Sequence, residues 1–279
     1  MEIKKILNNS VAISIDSNNK EIVVMGKGIA YAKKVGDQID PLHITKKFVL
    51  SSMQYPQKIL DLLADVPLEC VEITDNIVQY AKEKLSLEYL DTLYISILDH
   101  IRVSIERYQD GIIINNKLLW DIKNFYKEEF EVGVYALNLI EQVYGIKMQE
   151  DEAAFIALHV ASAKTNDDIG QTYEITHFIQ NITNIVKYYF NLEYQFESLN
   201  YHRFVTHLKF FAIRLFSNPN NSNKLFNNDL LDMIKERYID AYLCSLKVKK
   251  YIEEKYQYHL DSDEILYLTL HIAKILGGR

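Results

Sequence analysis

Glycine and proline are scarce here, nine and four among 279 residues. Turns lean on both residue types, so their shortage argues for long helices over most of the chain. Cysteine is nearly absent too: Cys70 and Cys244 show neither a metal-ligand spacing nor a disulfide pattern. No run of about 18 apolar residues occurs, which leaves nothing to cross a membrane as a helix. The opening stretch carries Glu2, Lys4 and Lys5 in place of the apolar centre of a signal peptide, so a cytoplasmic protein is expected. Also missing are GxGxxG, a P-loop, HxxxH and CxxC, and no cofactor or metal site is expected. What is present is 48% hydrophobic, enough for two or three domains with cores of their own.

Net charge is −7, which taken whole speaks against nucleic acid. Its distribution is uneven. Residues 1–56 hold eight lysines (4, 5, 20, 27, 33, 34, 46 and 47) against acids at 2, 16, 21, 37 and 40. That head is +3 and the remainder −10, the asymmetry expected when one domain alone meets a polyanion.

The head reads as β structure. Val11, Ile13 and Ile15 alternate with small or polar residues, Ser17–Lys20 offers hairpin residues, and Glu21–Met25 resumes as a strand. Gly26 and Gly28 interrupt it, Ile29–Lys33 alternates again as a further strand, and Lys47–Leu50 supplies the last. Some 55 residues of sheet make a marginal core, so the head is expected to be dimeric. Beyond Pro56 and Pro67 the period turns helical: Leu93, Ile97, Ile101 and Ile105 recur at i+4, and Ile175, Ile179, Ile182, Ile185 and Val186 mark another amphipathic segment. Asn218–Ser222 reads as a loop, and Gly170 in the polar stretch 166–170 as the boundary between two helical halves.

Those halves repeat each other. Ile140-Glu141-x-x-Tyr144, Asp151-Glu152 and Leu158-His159-x-Ala161 recur as Ile252-Glu253-x-x-Tyr256, Asp263-Glu264 and Leu270-His271-x-Ala273, at an offset of 112. Eight of those 22 positions are identical. Upstream, Tyr94, His100 and Arg107 recur as Tyr201, His207 and Arg214, at an offset of 107. The expected architecture is therefore multidomain: a small antiparallel β-sheet domain at the N-terminus, then two homologous all-α helical bundles.

Of eight histidines (43, 100, 159, 177, 202, 207, 259 and 271), only 100, 159, 207 and 271 occupy matching places in the repeat. Each upstream histidine is followed seven residues later by an arginine on the same helix face, about 10 Å along the axis. Each downstream one is preceded by the Asp-Glu pair, read as the acidic opening of its helix. A structural role is the simpler account of any single one, given neighbours such as Leu158, Val160, Leu270 and Ile272. Persistence of both histidines in two diverged copies favours chemistry. A neutral imidazole accepts a phosphoryl group and gains close to two negative charges, which suits a switch.

Leu98-Asp99-His100-Ile101 with Arg107, Val205-Thr206-His207-Leu208 with Arg214, Leu158-His159-Val160 and Leu270-His271-Ile272 resemble the four phosphorylation motifs of tandem PTS regulation domains. Ile6-Leu7-Asn8-Asn9-Ser10-Val11 and Val23-Val24-Met25-Gly26-Lys27-Gly28-Ile29-Ala30-Tyr31 resemble the co-antiterminator RNA-binding domain. Essentially the whole chain is thus similar to the BglG/SacY family of transcriptional antiterminators. The resemblance implies an RNA-binding domain over 1–56, a linker over 57–66 and PTS regulation domains over 67–169 and 170–279.

It also implies a regulator, not an enzyme. Such a protein binds as a homodimer to an RNA antiterminator hairpin in the leader of a sugar operon, most commonly a β-glucoside one, and prevents an overlapping terminator from forming. Phosphorylation of His100 and His159 would be linked to a PTS sugar permease (enzyme II) and usually inhibits. That of His207 and His271 by the phosphocarrier HPr often activates. RNA contacts would fall to Lys5, Asn8, Asn9, Ser10, Gly26, Lys27, Gly28 and Tyr31. Asparagine amides suit base edges, glycines admit close approach, lysines supply charge and Tyr31 a stacking face. Ser10 and Lys27 stand where the resemblance leads one to expect Asn and Arg. Three other readings compete: a DNA-binding regulator, disfavoured by the β head; a phosphotransfer enzyme, which would need a phosphate cradle; and a helical small-molecule binder.

Overall fold

Alternating side chains on the N-terminal strands serve two different cores. In the computed structural model, which describes residues 1–49, 56–87, 90–165, 168–217 and 228–277, β1 (Ile3–Asn8), β2 (Val11–Ile15), β3 (Glu21–Met25) and β4 (Lys46–Val49) form an antiparallel meander in that order. Leu50 of the expected last strand and the expected loop at 218–222 lie outside the described residues. β2 and β3 pair from Val11↔Met25 to Ile15↔Glu21, and their turn sets Asn19 at φ 62°, a conformation asparagine tolerates. Ala12, Ile22 and Val24 join Ile3, Ile29, Ala30 and Ile39 on one face. Val11, Ile13, Val23, Met25 and Phe48 occupy the other. Covering both faces explains the unbroken apolar run Ile22–Met25.

The strand expected over Ile29–Lys33 is absent. Residues 27–32 are turns, with Gly28 at φ +64° and Ala32 at φ 55° and bonds from Ile29 N to Gly26 O (3.3 Å) and Tyr31 N to Gly28 O (3.1 Å). Ile29 and Ala30 still enter the core. Their apolarity reflected burial rather than strand pairing, and periodicity over five residues does not separate the two.

The second face of the sheet is closed by helices of the same chain: α1 (Pro56–Asp65), α2 (Leu68–Leu85) and α3 (Leu90–Gln109). Phe48 meets Tyr94 at 5.0 Å between ring centroids. Lys46 pairs with Asp75 at 3.3 Å and lies 4.4 Å above the Tyr94 ring. With α5 (Lys127–Tyr144) and α6 (Glu150–Thr165), these make the first of two compact units, residues 1–116 and 128–166. The core a 55-residue sheet lacks is supplied by its neighbouring helices.

The second unit comprises residues 117–127 and 167–279, with α4 (Leu119–Phe125), α7 (Ile169–Phe190), α8 (Leu199–Ser217), α9 (Asn228–Arg237), α10 (Ile239–Tyr256) and α11 (Ser262–Gly277). α4 packs on α7, where Gln180 donates to Asp121 at 2.5 Å and the Thr176 hydroxyl bonds Tyr126 Oη at 3.3 Å. Gly170 falls in the first turn of α7, behind the Asp168 cap that accepts its N–H at 2.7 Å. Among the described residues no helix is long and apolar enough to cross a membrane.

Candidate functional site: paired histidine clusters and the head surface

His100 and Arg107 sit on α3, and Glu152 and His159 on α6. The two helices pack side by side, and α6 is pinned from its other flank by α5. A Cβ added at Gly133 would stand 2.2 Å from the Ala153 carbonyl oxygen, so this residue type permits the approach. Glu152, in the first turn of α6, is 1% exposed. A carboxylate buried this deeply needs charged or hydrogen-bonded partners, and it has two. One oxygen faces Arg107; the other lies 3.1 Å from His100 Nε2. The seven-residue gap between His100 and Arg107 is closed because both side chains lean towards this one carboxylate. His159 completes the cluster, its ring centroid 5.0 Å from that of His100. Burial first, and the His100 ring second, push His159 down to about 3, so its imidazole is neutral at pH 7.

The second unit builds the same constellation more loosely. α8 carries His207 and Arg214, α11 carries Glu264 and His271, and the two rings stack at 4.9 Å and 26°. Arg214 holds Glu264 at 2.5 Å, but His207 Nε2 is 3.8 Å from the other carboxylate oxygen, beyond a hydrogen bond. Arg214 is 49% exposed where Arg107 is 16%. Burial, His271 and Arg214 push His207 down to about 3. Burial lowers His271 as well and raises Glu264. Nδ1 of both rings and Oε2 of Glu264 are buried without partners.

All four histidines singled out in the sequence are thus brought together, two by two. Glu152 and Glu264 were legible only as helix-opening acids. Their identity in both repeats, seven residues before a histidine and hence two turns along the same face, is the signal that marks them as partners. Among the described residues no group of three His, Cys, Asp or Glu is placed to hold a metal ion.

On the head, the turn at Asn9 and Ser10 is stitched to the turn after β3. Gly26 N donates to Ser10 O at 3.0 Å and Ala30 N to Asn9 O at 3.1 Å. Asn9, Lys27, Gly28 and Tyr31 are exposed around this seam, Tyr31 to 68%. Lys5 is exposed mid-way along β1, opposite Ile13. Two residues have structural partners. Gly26 is buried, and a Cβ there would meet the His43 carbonyl oxygen at 1.9 Å; its lack of a side chain answers to this chain's own backbone. Asn8 donates to the Ala64 carbonyl of α1 at 2.6 Å while its oxygen accepts Ser10 N–H at 2.7 Å.

The head matches the CAT RNA binding domain over residues 1–56, and the PRD domain matches twice, over 75–163 and 180–275. The chain belongs to the BglG/SacY antiterminator family. It is 44% identical over 276 residues to the transcription antiterminator LicT of Bacillus subtilis (strain 168), covering 99% of each chain. It is 42% identical over 277 residues to the beta-glucoside operon antiterminator of Dickeya chrysanthemi, covering 99% of this chain and 96% of that one. The crystal structure of GlcT CAT-PRDI superposes with a TM-score of 0.51 at 31% identity, over 59% of this chain and 98% of that one. The antiterminator is accordingly an RNA-binding transcription regulator and not an enzyme. Its architecture of a β-sheet head followed by helical domains agrees with the sequence-based expectation.

Proposed function

We propose that this antiterminator acts in the cytoplasm as a homodimer, holding a leader-RNA hairpin of a β-glucoside operon so that the terminator cannot form. Phosphorylation of His100 and His159 by a PTS enzyme II, and of His207 and His271 by HPr, sets its activity. The operon class rests on the beta-glucoside antiterminator of Dickeya chrysanthemi. Residues 1–56 are the RNA-binding part, 57–66 the linker, and 67–169 and 170–279 the two regulatory parts.

The observation that carries the reading is the recurrence of one His–His–Glu–Arg cluster in both regulatory halves of a chain with an RNA-binding head. Each cluster sits at a helix–helix contact. A phosphoryl group there adds close to two negative charges beside a buried carboxylate, so the arginine must turn to the phosphate or the helices must part. Either response gives a two-state element. At the head, Lys5, Asn9, Ser10, Lys27, Gly28 and Tyr31 form the RNA surface over the scaffold that Gly26 permits. Asn8 joins them only by releasing Ala64.

The test is a gel-shift of the full chain with an antiterminator-type RNA hairpin beside duplex DNA at matched salt. Binding of RNA alone, weakened by Asn9→Ala and Tyr31→Ala and altered by His207→Asp with His271→Asp, is the expected result. Equal affinity for both nucleic acids would remove the reading.

A further inference from the structure

We propose that Glu152 is a positioning residue for phosphoryl transfer: it takes the Nε2–H of His100 and so leaves Nδ1 as the nitrogen that receives the phosphoryl group. The inference rests on the phosphorylation reading above, and adds the acceptor atom and the residue that selects it.

Three observations converge. Glu152 is committed on one oxygen to Arg107, and its other oxygen meets His100 Nε2 at 3.1 Å. A carboxylate held this way only accepts hydrogen bonds, so the neutral ring must present its N–H at Nε2 and its lone pair at Nδ1. The carboxylate is fixed, being 1% exposed and held from α6 against two partners on α3, while the His100 side chain keeps 14% of its surface. His159, the neighbouring ring, contributes no competing hydrogen bond to His100; it contacts the ring through its face and edge at 5.0 Å.

The chemistry balances on these groups. The Nδ1 lone pair attacks the phosphorus of a phosphohistidine on the donor protein. The donor's N–P bond breaks and its electron pair returns to the donor ring. The accepting ring, still carrying Nε2–H, becomes cationic as the new N–P bond forms. Glu152 faces that positive charge without having to move, as the carboxylate of a catalytic triad does for its imidazolium.

The second unit provides the contrast within the same molecule. His207 Nε2 is 3.8 Å from Glu264, and the nearest carboxylate oxygen is without a partner. The tautomer of His207 is therefore not dictated by its glutamate, and the two histidine pairs differ in how far they are organised for transfer.

The experiment uses the full chain with histidine-selective 15N labelling, the His100 resonances being assigned by their loss in His100→Gln. Expected at neutral pH is the Nε2–H tautomer for His100, turned into a tautomer mixture by Glu152→Gln, with no change at His207 on Glu264→Gln. With a phosphohistidine-bearing donor, phosphate is expected on Nδ1 of His100. The rate should fall about tenfold or more in Glu152→Gln while His207 and His271 in the same molecules still label. An Nδ1–H tautomer in the wild-type chain, a phosphate on Nε2, or a tautomer unmoved by Glu152→Gln would each overturn the proposal. The two wild-type measurements decide it even if the variant does not fold. A chain that takes no phosphate at any histidine overturns the phosphorylation reading instead, and is told apart because the tautomer is read without a donor.

Discussion

His159 and His207 each lie against a second imidazole in a buried contact, and both rings are pushed down to about 3. In the unfolded chain such rings take up a proton near their ordinary value of 6.5. Below that pH the unfolded state binds more protons than the folded one. The stability tied to these rings is therefore complete above pH 6.5 and is lost as pH falls from there towards 3. Between pH 7 and 5 the loss amounts to about 2 kcal/mol for each ring. Denaturant midpoints measured at both pH values should show it, and His159→Gln should flatten the slope of the first unit's transition. At this scale the sequence yielded the four histidines and both arginines through the repeat. It did not reveal Glu152 as their bridge. An acid at a helix start is ordinary on electrostatic grounds, and only the packing of α3 on α6 brings Arg107 and His100 to it.

Among the elements, helices were the most legible because their apolar stripes persist over many turns, as at Leu93, Ile97, Ile101 and Ile105, all buried in α3. The paired strands β2 and β3 were legible for the equivalent reason, a sustained alternation. Short segments were not: the turn at Ile29 and Ala30 is apolar because those two side chains pack into the sheet. The α5–α6 contact depends on one glycine. Gly133→Ala would force a Cβ to within 2.2 Å of the Ala153 carbonyl, and a backbone atom yields less readily than a side chain. The expected cost is about 1–3 kcal/mol, read as a lower thermal midpoint. Because Ala153 adjoins Glu152, the His100 resonances should shift in the same variant.

On the scale of the whole molecule, the head and the first regulatory helices share one core through Val11, Ile13, Val23, Met25 and Phe48. Phe48 is 2% exposed and touches Tyr94. Phe48→Ala should cost about 3–5 kcal/mol and split the cooperative unfolding of the first unit, with the sheet melting before the helices. A single coincident transition, followed by circular dichroism and by Tyr94-centred NMR signals, would show that the sheet does not depend on this contact. The hydrophobic pattern of the sequence shows that a face of this small sheet needs covering, but not that helices of the same chain cover it.

Period and repetition are local properties of the chain. The sequence alone therefore settled a β head with paired strands at Val11–Ile15 and Glu21–Met25, the long helices, the doubled regulatory half and which four histidines recur in it. Convergence in space is not local. The closing of the head on α1 and α3, the transfer of residues 117–127 to the second unit, and the tight clamp on His100 beside the looser one on His207 were decided by tertiary packing. There, differences of under 1 Å between a carboxylate and a ring nitrogen (3.1 against 3.8 Å) separate a made hydrogen bond from a missing one.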